Sequence, residues 1–151
     1  MRAKLHGLIG SAAWLCIAGF WSSTLIAELF LSPAAVVTVK TSIAWSLLAF
    51  VPLMIATAGS GFALAAGRSE PLLAGKRRRM PLIGANGLLV LVPAALYLQA
   101  KAVAGEFDTA FYVVQGVELL AGALNLWLIG RSLRDGLRLR AQARSRGFVS
   151  A

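Results

Sequence analysis

Four apolar runs, each long enough to cross the hydrocarbon core of a bilayer, leave this chain little choice of fold. A spanning helix needs about 20 mostly apolar residues, and the runs at 5–31, 41–66, 81–100 and 108–130 meet that length. In hydrocarbon, backbone N–H and C=O groups must be satisfied within the segment, which makes such runs helices. The expected fold is all-α: an integral membrane four-helix antiparallel bundle forming a single membrane domain over 1–151. A basic cytoplasmic tail is expected at 131–151. Only 14% of the residues are charged, against about 25% for a water-soluble domain. The links between runs leave almost no room for an aqueous catalytic unit.

The basic residues set an expected orientation. Two Lys or Arg lie in the N-terminal head, five in the second link and six in the tail, thirteen of the fifteen in the chain. Lys40 and Lys101 are then alone on the opposite side. The positive-inside rule places both termini and the second link in the cytoplasm. Trp45, Tyr97 and Tyr112 would mark the outer interface and Trp127 the inner one. The tetrad Lys76, Arg77, Arg78 and Arg79 reads as a topology anchor that also meets anionic lipid on the cytoplasmic face. The net charge of +9 therefore points to a membrane surface. No aromatic interleaving supports nucleic acid as a partner.

The fourth run, FDTAFYVVQGVELLAGALNLWLIG at 107–130, carries the strongest candidate site. At about 3.6 residues per turn, Gln115, Glu118, Gly122 and Asn125 share one side, a small polar stripe in an apolar helix. A carboxyl at this depth costs at least about 2.5 kcal/mol, so it is expected to face other helices or a wet cavity. No Lys or Arg falls inside the spans drawn above. Glu118 is therefore expected to be uncompensated and held as the neutral acid. It then serves as interhelical glue, a proton or ligand site, or a contact to a partner.

Other residues carry weaker signals. His6 is the one histidine and opens the first helix, where it could ligate haem b with a second ligand such as Met54, Met80 or a second copy of the chain. Cys16 is a single thiol, and no cluster suggests a metal centre. On the first helix, Ala12, Cys16, Gly19 and Ser23 form a small face suited to close helix approach. A second face holds His6, Gly10, Ala13, Ile17, Thr24 and Glu28. Glu28 and Lys40 are expected to pair near the outer surface. Ser32-Pro33 is read as a break, Pro81 as the first turn of the third span, and Pro52 and Pro93 as mid-span prolines. Leu133 and Leu137 with Arg131, Arg134 and Arg138 suggest an amphipathic surface helix in the tail. No nucleotide-binding loop, metalloprotease helix or nucleophile elbow is present.

KLHG at 4–7, KRRRMP at 76–81 with Ala85-Asn86-Gly87, FDTAFY at 107–112, the stripe Gln115, Glu118, Gly122, Asn125, and RDGLRL at 134–139 together resemble a family of small bacterial four-helix inner-membrane proteins. That family is uncharacterised, so the resemblance implies a location and a fold but no activity. Through His6 and the general layout the chain is also similar to small four-helix membrane proteins of the copper-resistance D type and to haem-associated protoporphyrinogen oxidases. Three functions stay open at this point. One is a non-enzymatic accessory or scaffold subunit of a larger membrane assembly, with a membrane protein or a second copy as partner. The others are a small haem-binding or proton-handling redox protein, and a small-solute transporter.

Overall fold

The structure, a computed structural model, describes the backbone of residues 2–65 and 71–149 and the side chains of residues 7–59, 79–138 and 141. It is all-helical: α1 (Arg2–Phe30), α2 (Pro33–Ala65), α3 (Pro71–Asn86), a π-helical stretch (Gly87–Leu91), α4 (Val92–Val103) and α5 (Thr109–Val149). Among the described residues, four helical segments are long and apolar enough to cross a membrane: Gly7–Phe30, Pro33–Gly59, Arg79–Val103 and Thr109–Arg138. The third joins the end of α3, the π stretch and α4. In the packing, α1 touches α2 and α5, and the third segment touches α2 and α5.

Local chemistry sets where the helices begin and end. Only Leu31 and Ser32 separate α1 from α2. Pro33 opens α2, at a position where its missing N–H is unpaired in any helix, and the Ser32 carbonyl accepts from Ala35 and Val36. The expected break at Ser32-Pro33 is thus also the start of the next helix, which extends the second span upstream of residue 41 and puts Lys40 inside it. Similarly α3 begins at Pro71, so Pro81 lies inside a helix, not at its first turn.

The link after α4 is built from three devices. Gly105 takes φ +73°, a left-handed conformation that a Cβ disfavours. Its N–H bonds Ala102 and that of Glu106 bonds Lys101, the paired arrangement that closes many helix C-termini. Asp108 then caps α5 by accepting from the Phe111 N–H at 2.9 Å. Lys101 bridges Glu106 at 2.8 Å and Asp108 at 2.7 Å, which spends both carboxylates on the link. The Lys101 bond, and after it the Phe111 N–H, holds the Asp108 carboxyl below its usual 3.8. A lowered folded value means that this contribution to stability is complete above the ordinary carboxylate range and is lost as pH falls through the lowered value. Asp108→Ala should therefore lower the melting temperature at pH 7 and have little effect near pH 2, as thermal unfolding at the two pH values will read.

The π stretch has a cause in Pro93. A proline offers no N–H to the turn before it and crowds the carbonyl four residues back. The chain widens ahead of it, and the Val92 N–H reaches the Gly87 carbonyl, five residues away. Such π turns are rare and recur at functional sites.

α5 continues without interruption through the basic residues to Val149. This corrects the expected surface helix: Ser132 and Asp135 are buried, and Leu133 packs against the core. Two apolar clusters hold the helices at opposite ends. Ala27, Val36, Leu98, Ala102 and Phe111 form one, joining α1, α2, α4 and α5. Ile17, Ile83, Leu128 and Ile129 form the other, backed by Trp14, Phe50 and Met54.

The face of α1 that packs inward carries Ala13, Ile17 and Thr24, which are buried. The small face behaves otherwise than expected. Ala12, Cys16 and Gly19 are exposed, and no atom of another helix lies within 4 Å of the place where a Gly19 Cβ would stand.

Instead, α1 approaches α5 through its tryptophans. Trp14 Nε1 donates to the Leu126 carbonyl at 3.0 Å and Trp21 Nε1 to the Leu119 carbonyl at 2.9 Å. Both pairs are seven residues apart, so the same contact repeats after two turns. As the numbering rises along α1 it falls along α5. Gly122 makes room for the Trp21 ring, since a Cβ there would stand 2.9 Å from Trp21 Cδ1.

Candidate functional site

The centre of the polar stripe is an ion pair. Lys40 Nζ donates to Glu118 Oε2 at 2.6 Å, with the lysine side chain 1% exposed and the carboxylate 12%. This overturns the expectation that Glu118 has no cationic neighbour. That expectation came from starting the second span at residue 41. Lys40 is the eighth residue of α2, about 10 Å along its axis, and Glu118 lies about 14 Å into α5 at 1.5 Å per residue. Both are deep in their segments.

The expected Glu28–Lys40 surface pair is corrected as well: the lysine's hydrogen bond goes to Glu118. Glu28 stands close enough to feel both charges, and its Oε1 is buried with no hydrogen-bond partner. Gln115, 4% exposed, donates through Nε2 to Glu118 Oε2 at 3.0 Å. That contact fixes the amide's orientation and leaves Gln115 Oε1 buried without a donor. The cluster thus joins α1, α2 and α5, with Glu28 near the Lys40–Glu118 pair but not bonded to it.

Asn125, one turn beyond Gly122, is 2% exposed. Its Oδ1 accepts from Asn86 Nδ2 at 3.0 Å, and the same Asn86 nitrogen reaches the Ala121 carbonyl at 2.9 Å. Asn125 Nδ2 points to the Ile83 carbonyl at 3.5 Å. These bonds bind α5 to α3 just ahead of the π stretch. At the far end Arg79 pairs with Asp135. Arg79 therefore belongs to a helix-to-helix contact and not only to the basic tetrad. The side chains of Lys76, Arg77 and Arg78 lie outside the described residues, as does that of His6, on which the haem reading rests.

Between the helices lies a cavity of about 350 Å³. Glu118 and Thr24 are in its wall at one end, Asn125 near its middle, and Ser132 and Leu133 at the other. Glu118 to Leu133 spans about 22 Å of helix, so the space is long and narrow. The rest of the wall is apolar, with Ile17, Phe50, Met54, Ile83 and Leu91 among its members. Two residues of the wall, Ile55 on α2 and Leu88 on the π stretch, are 63% and 52% exposed. Both therefore also reach the outer surface, one on α2 and one on the third segment.

Pockets of this volume, mostly apolar with a few placed polar groups and set between helices, are the usual form of a small-molecule site. Sequence reasoning missed Lys40, Asn86 and the tryptophan contacts. A helical projection from Pro33 would have found the lysine, because Val36, Lys40 and Ile43 fall on one buried face. Among the described residues no group of His, Cys, Asp and Glu is placed to hold a metal ion. No family model, no curated protein and no solved structure matches the chain.

Proposed function

We propose that this chain is an integral inner-membrane protein of four antiparallel spans that binds a lipophilic molecule drawn sideways from the bilayer. Its role is binding or carriage, and no step of bond chemistry is assigned to it. The observation that carries this reading is the long apolar cavity, whose wall holds the outwardly exposed Ile55 and Leu88 and, at one end, Glu118. A site that opens toward hydrocarbon admits molecules already dissolved there. The outer surface supports the setting: Leu8, Leu15, Leu48, Leu89 and Leu120 are more than half exposed, a liability in water and ordinary in lipid. Trp45, Tyr112 and Trp127 are exposed as well, as interfacial aromatics would be, and Arg131 lies 5.6 Å from the Trp127 ring centre.

The antiparallel arrangement is supported by the falling order of partners along α5, met by Trp14 and Trp21 on α1 and by Arg79 and Asn86 on α3. The cytoplasmic location of both termini rests on the Lys and Arg count. With Lys40 drawn into the interior, Lys101 alone remains on the outer side against thirteen, which steepens the bias.

Gly84 gives the test. It is in the cavity wall, and a Cβ there would meet nothing within 4 Å. Gly84→Phe should fill the opening without disturbing the helix. Native mass spectrometry of gently solubilised protein should show a bound lipophilic mass at one per chain, reduced at least about tenfold in occupancy by Gly84→Phe with the melting temperature unchanged. Protein that emerges bare, or a bound mass indifferent to Gly84→Phe, would contradict the reading.

The exposed small face of α1, Ala12, Cys16 and Gly19, favours a second reading: an accessory subunit that presents this face to a helix of a larger membrane assembly, or to a second copy. The same spectrum tests it. A stoichiometric protein partner supports it, and a lone monomer opposes it.

A further inference from the structure

We propose that the outward face of α5 from Trp127 onward is a binding site for the head of an anionic phospholipid, whose phosphate is held by Arg131, Arg134 and Arg138. The register of the helix comes first. At about 3.6 residues per turn, Val113, Leu120, Trp127, Arg131, Arg134 and Arg138 lie within about 60° of one another, opposite Gln115, Glu118 and Gly122. The first three are 61%, 76% and 59% exposed, and the arginines are exposed as well. One outward ridge of the helix therefore passes from apolar to basic.

The ridge changes character at the depth where a bilayer does. Arg131 stands about 33 Å along α5 from Thr109, and the hydrocarbon core is about 30 Å thick. A lipid whose chains cover Leu120 and Trp127 brings its phosphate level with Arg131.

Charge supplies the second argument. Asp135 is the one carboxylate on α5 past Glu118, and it is buried and paired with Arg79. Among the described residues no carboxylate bridges Arg131, Arg134 or Arg138. Three guanidinium groups thus share one face without a bridging anion, where anionic lipid is attracted to basic side chains. Each can meet two phosphate oxygens at once, which an ammonium cannot do in the same planar fork. Arg131 lies 5.6 Å from the Trp127 ring centre, a contact that holds its charge at the membrane interface. A zwitterionic head would bring its own ammonium against three cations.

Phosphatidylglycerol and phosphatidylcholine with the same chains, added to micelle-solubilised protein and counted as bound lipid by native mass spectrometry, provide the test. One phosphatidylglycerol per chain should bind about tenfold or more tightly than phosphatidylcholine. Glycerol phosphate in equal amount should not displace it. Arg131→Gln, Arg134→Gln and Arg138→Gln together should bring the preference to about twofold or less, with the melting temperature unchanged. If that chain does not fold, the three arginine-to-lysine substitutions decide: they keep the charge without the fork and should lower the preference at least about threefold. Lys76→Gln, Arg77→Gln and Arg78→Gln together remove as many charges elsewhere and should leave most of it.

Equal loss in the two glutamine triples would overturn the proposal, because net charge alone would then explain the binding. A lysine triple that binds like the native chain would overturn it too, as would displacement by glycerol phosphate. The site lies outside the cavity, so Gly84→Phe should leave the preference intact. A preference lost in Gly84→Phe would put the lipid in the cavity, against this assignment and in favour of the cavity reading.

Discussion

Lys40→Met should lower the stability of the folded chain by about 3–5 kcal/mol, the range found when one partner of a buried ion pair is removed. The size follows from where the lysine sits: its side chain is 1% exposed and its ammonium is 2.6 Å from Glu118. Removing it strands one carboxylate, with a second carboxylate nearby and no cation between them. Glu118→Leu added to Lys40→Met should recover more than half of the loss, because replacing both partners with apolar residues of similar size is often neutral. Unfolding in mixed micelles, followed by loss of the monodisperse folded species, measures both steps. A single substitution that costs less than about 0.5 kcal/mol would mean the pair is solvated, as exposed pairs are.

Gly122→Leu should be nearly as damaging, by about 3 kcal/mol, at the upper end of what overpacking costs. Here the cause is contact and not charge. A Cβ at this position would stand 2.9 Å from Trp21 Cδ1, a ring already tied to the Leu119 carbonyl. The ring cannot withdraw without giving up that bond, so α1 must move away from α5. Gly116, one and a half turns earlier on α5, has open space around its missing Cβ. Gly116→Ala should be neutral or stabilising by up to about 1 kcal/mol through helix propensity. Trp21→Ala in the Gly122→Leu background should restore part of the loss. Equal behaviour at the two glycines in melting experiments would show that the tryptophan contact does not set the α1–α5 spacing.

The helices were legible because hydrocarbon length writes itself into the chain as uninterrupted apolar residues. The stripe of Gln115, Glu118 and Asn125 was legible because three polar residues at helical spacing stand out in such a run. Lys40 escaped because Ser32-Pro33 signals both a stop and a start. Taken as a stop alone, it pushed the lysine into a link. Taken as the opening of α2, it carries the lysine inward on the face of Val36 and Ile43. The continuation of α5 past Arg131 was masked by its arginines, which look like a boundary, although Asp135 turns back to pair with Arg79.

The small face of α1 misled for a different reason. Size permits close approach without requiring it, and the tryptophans made the contact instead. The cavity had no sequence signal, since it is set by the spacing of helices. Pro93 and the π stretch before it, which lends Gly87, Leu88 and Leu91 to the wall, are its nearest trace in the chain.

Magic-angle-spinning NMR in lipid bilayers can measure the contact on which the account turns. Lysine labelled with ¹⁵N at Nζ and glutamate with ¹³C at Cδ should give a strong dipolar coupling in a chain carrying Glu28→Gln and Glu106→Gln, which silence the carboxyl beside Lys40 and the exposed Lys101–Glu106 bridge, and the coupling should vanish when Glu118→Gln is added. A coupling that disappears with Glu28→Gln and Glu106→Gln alone would place Lys40 away from Glu118 and contradict the account.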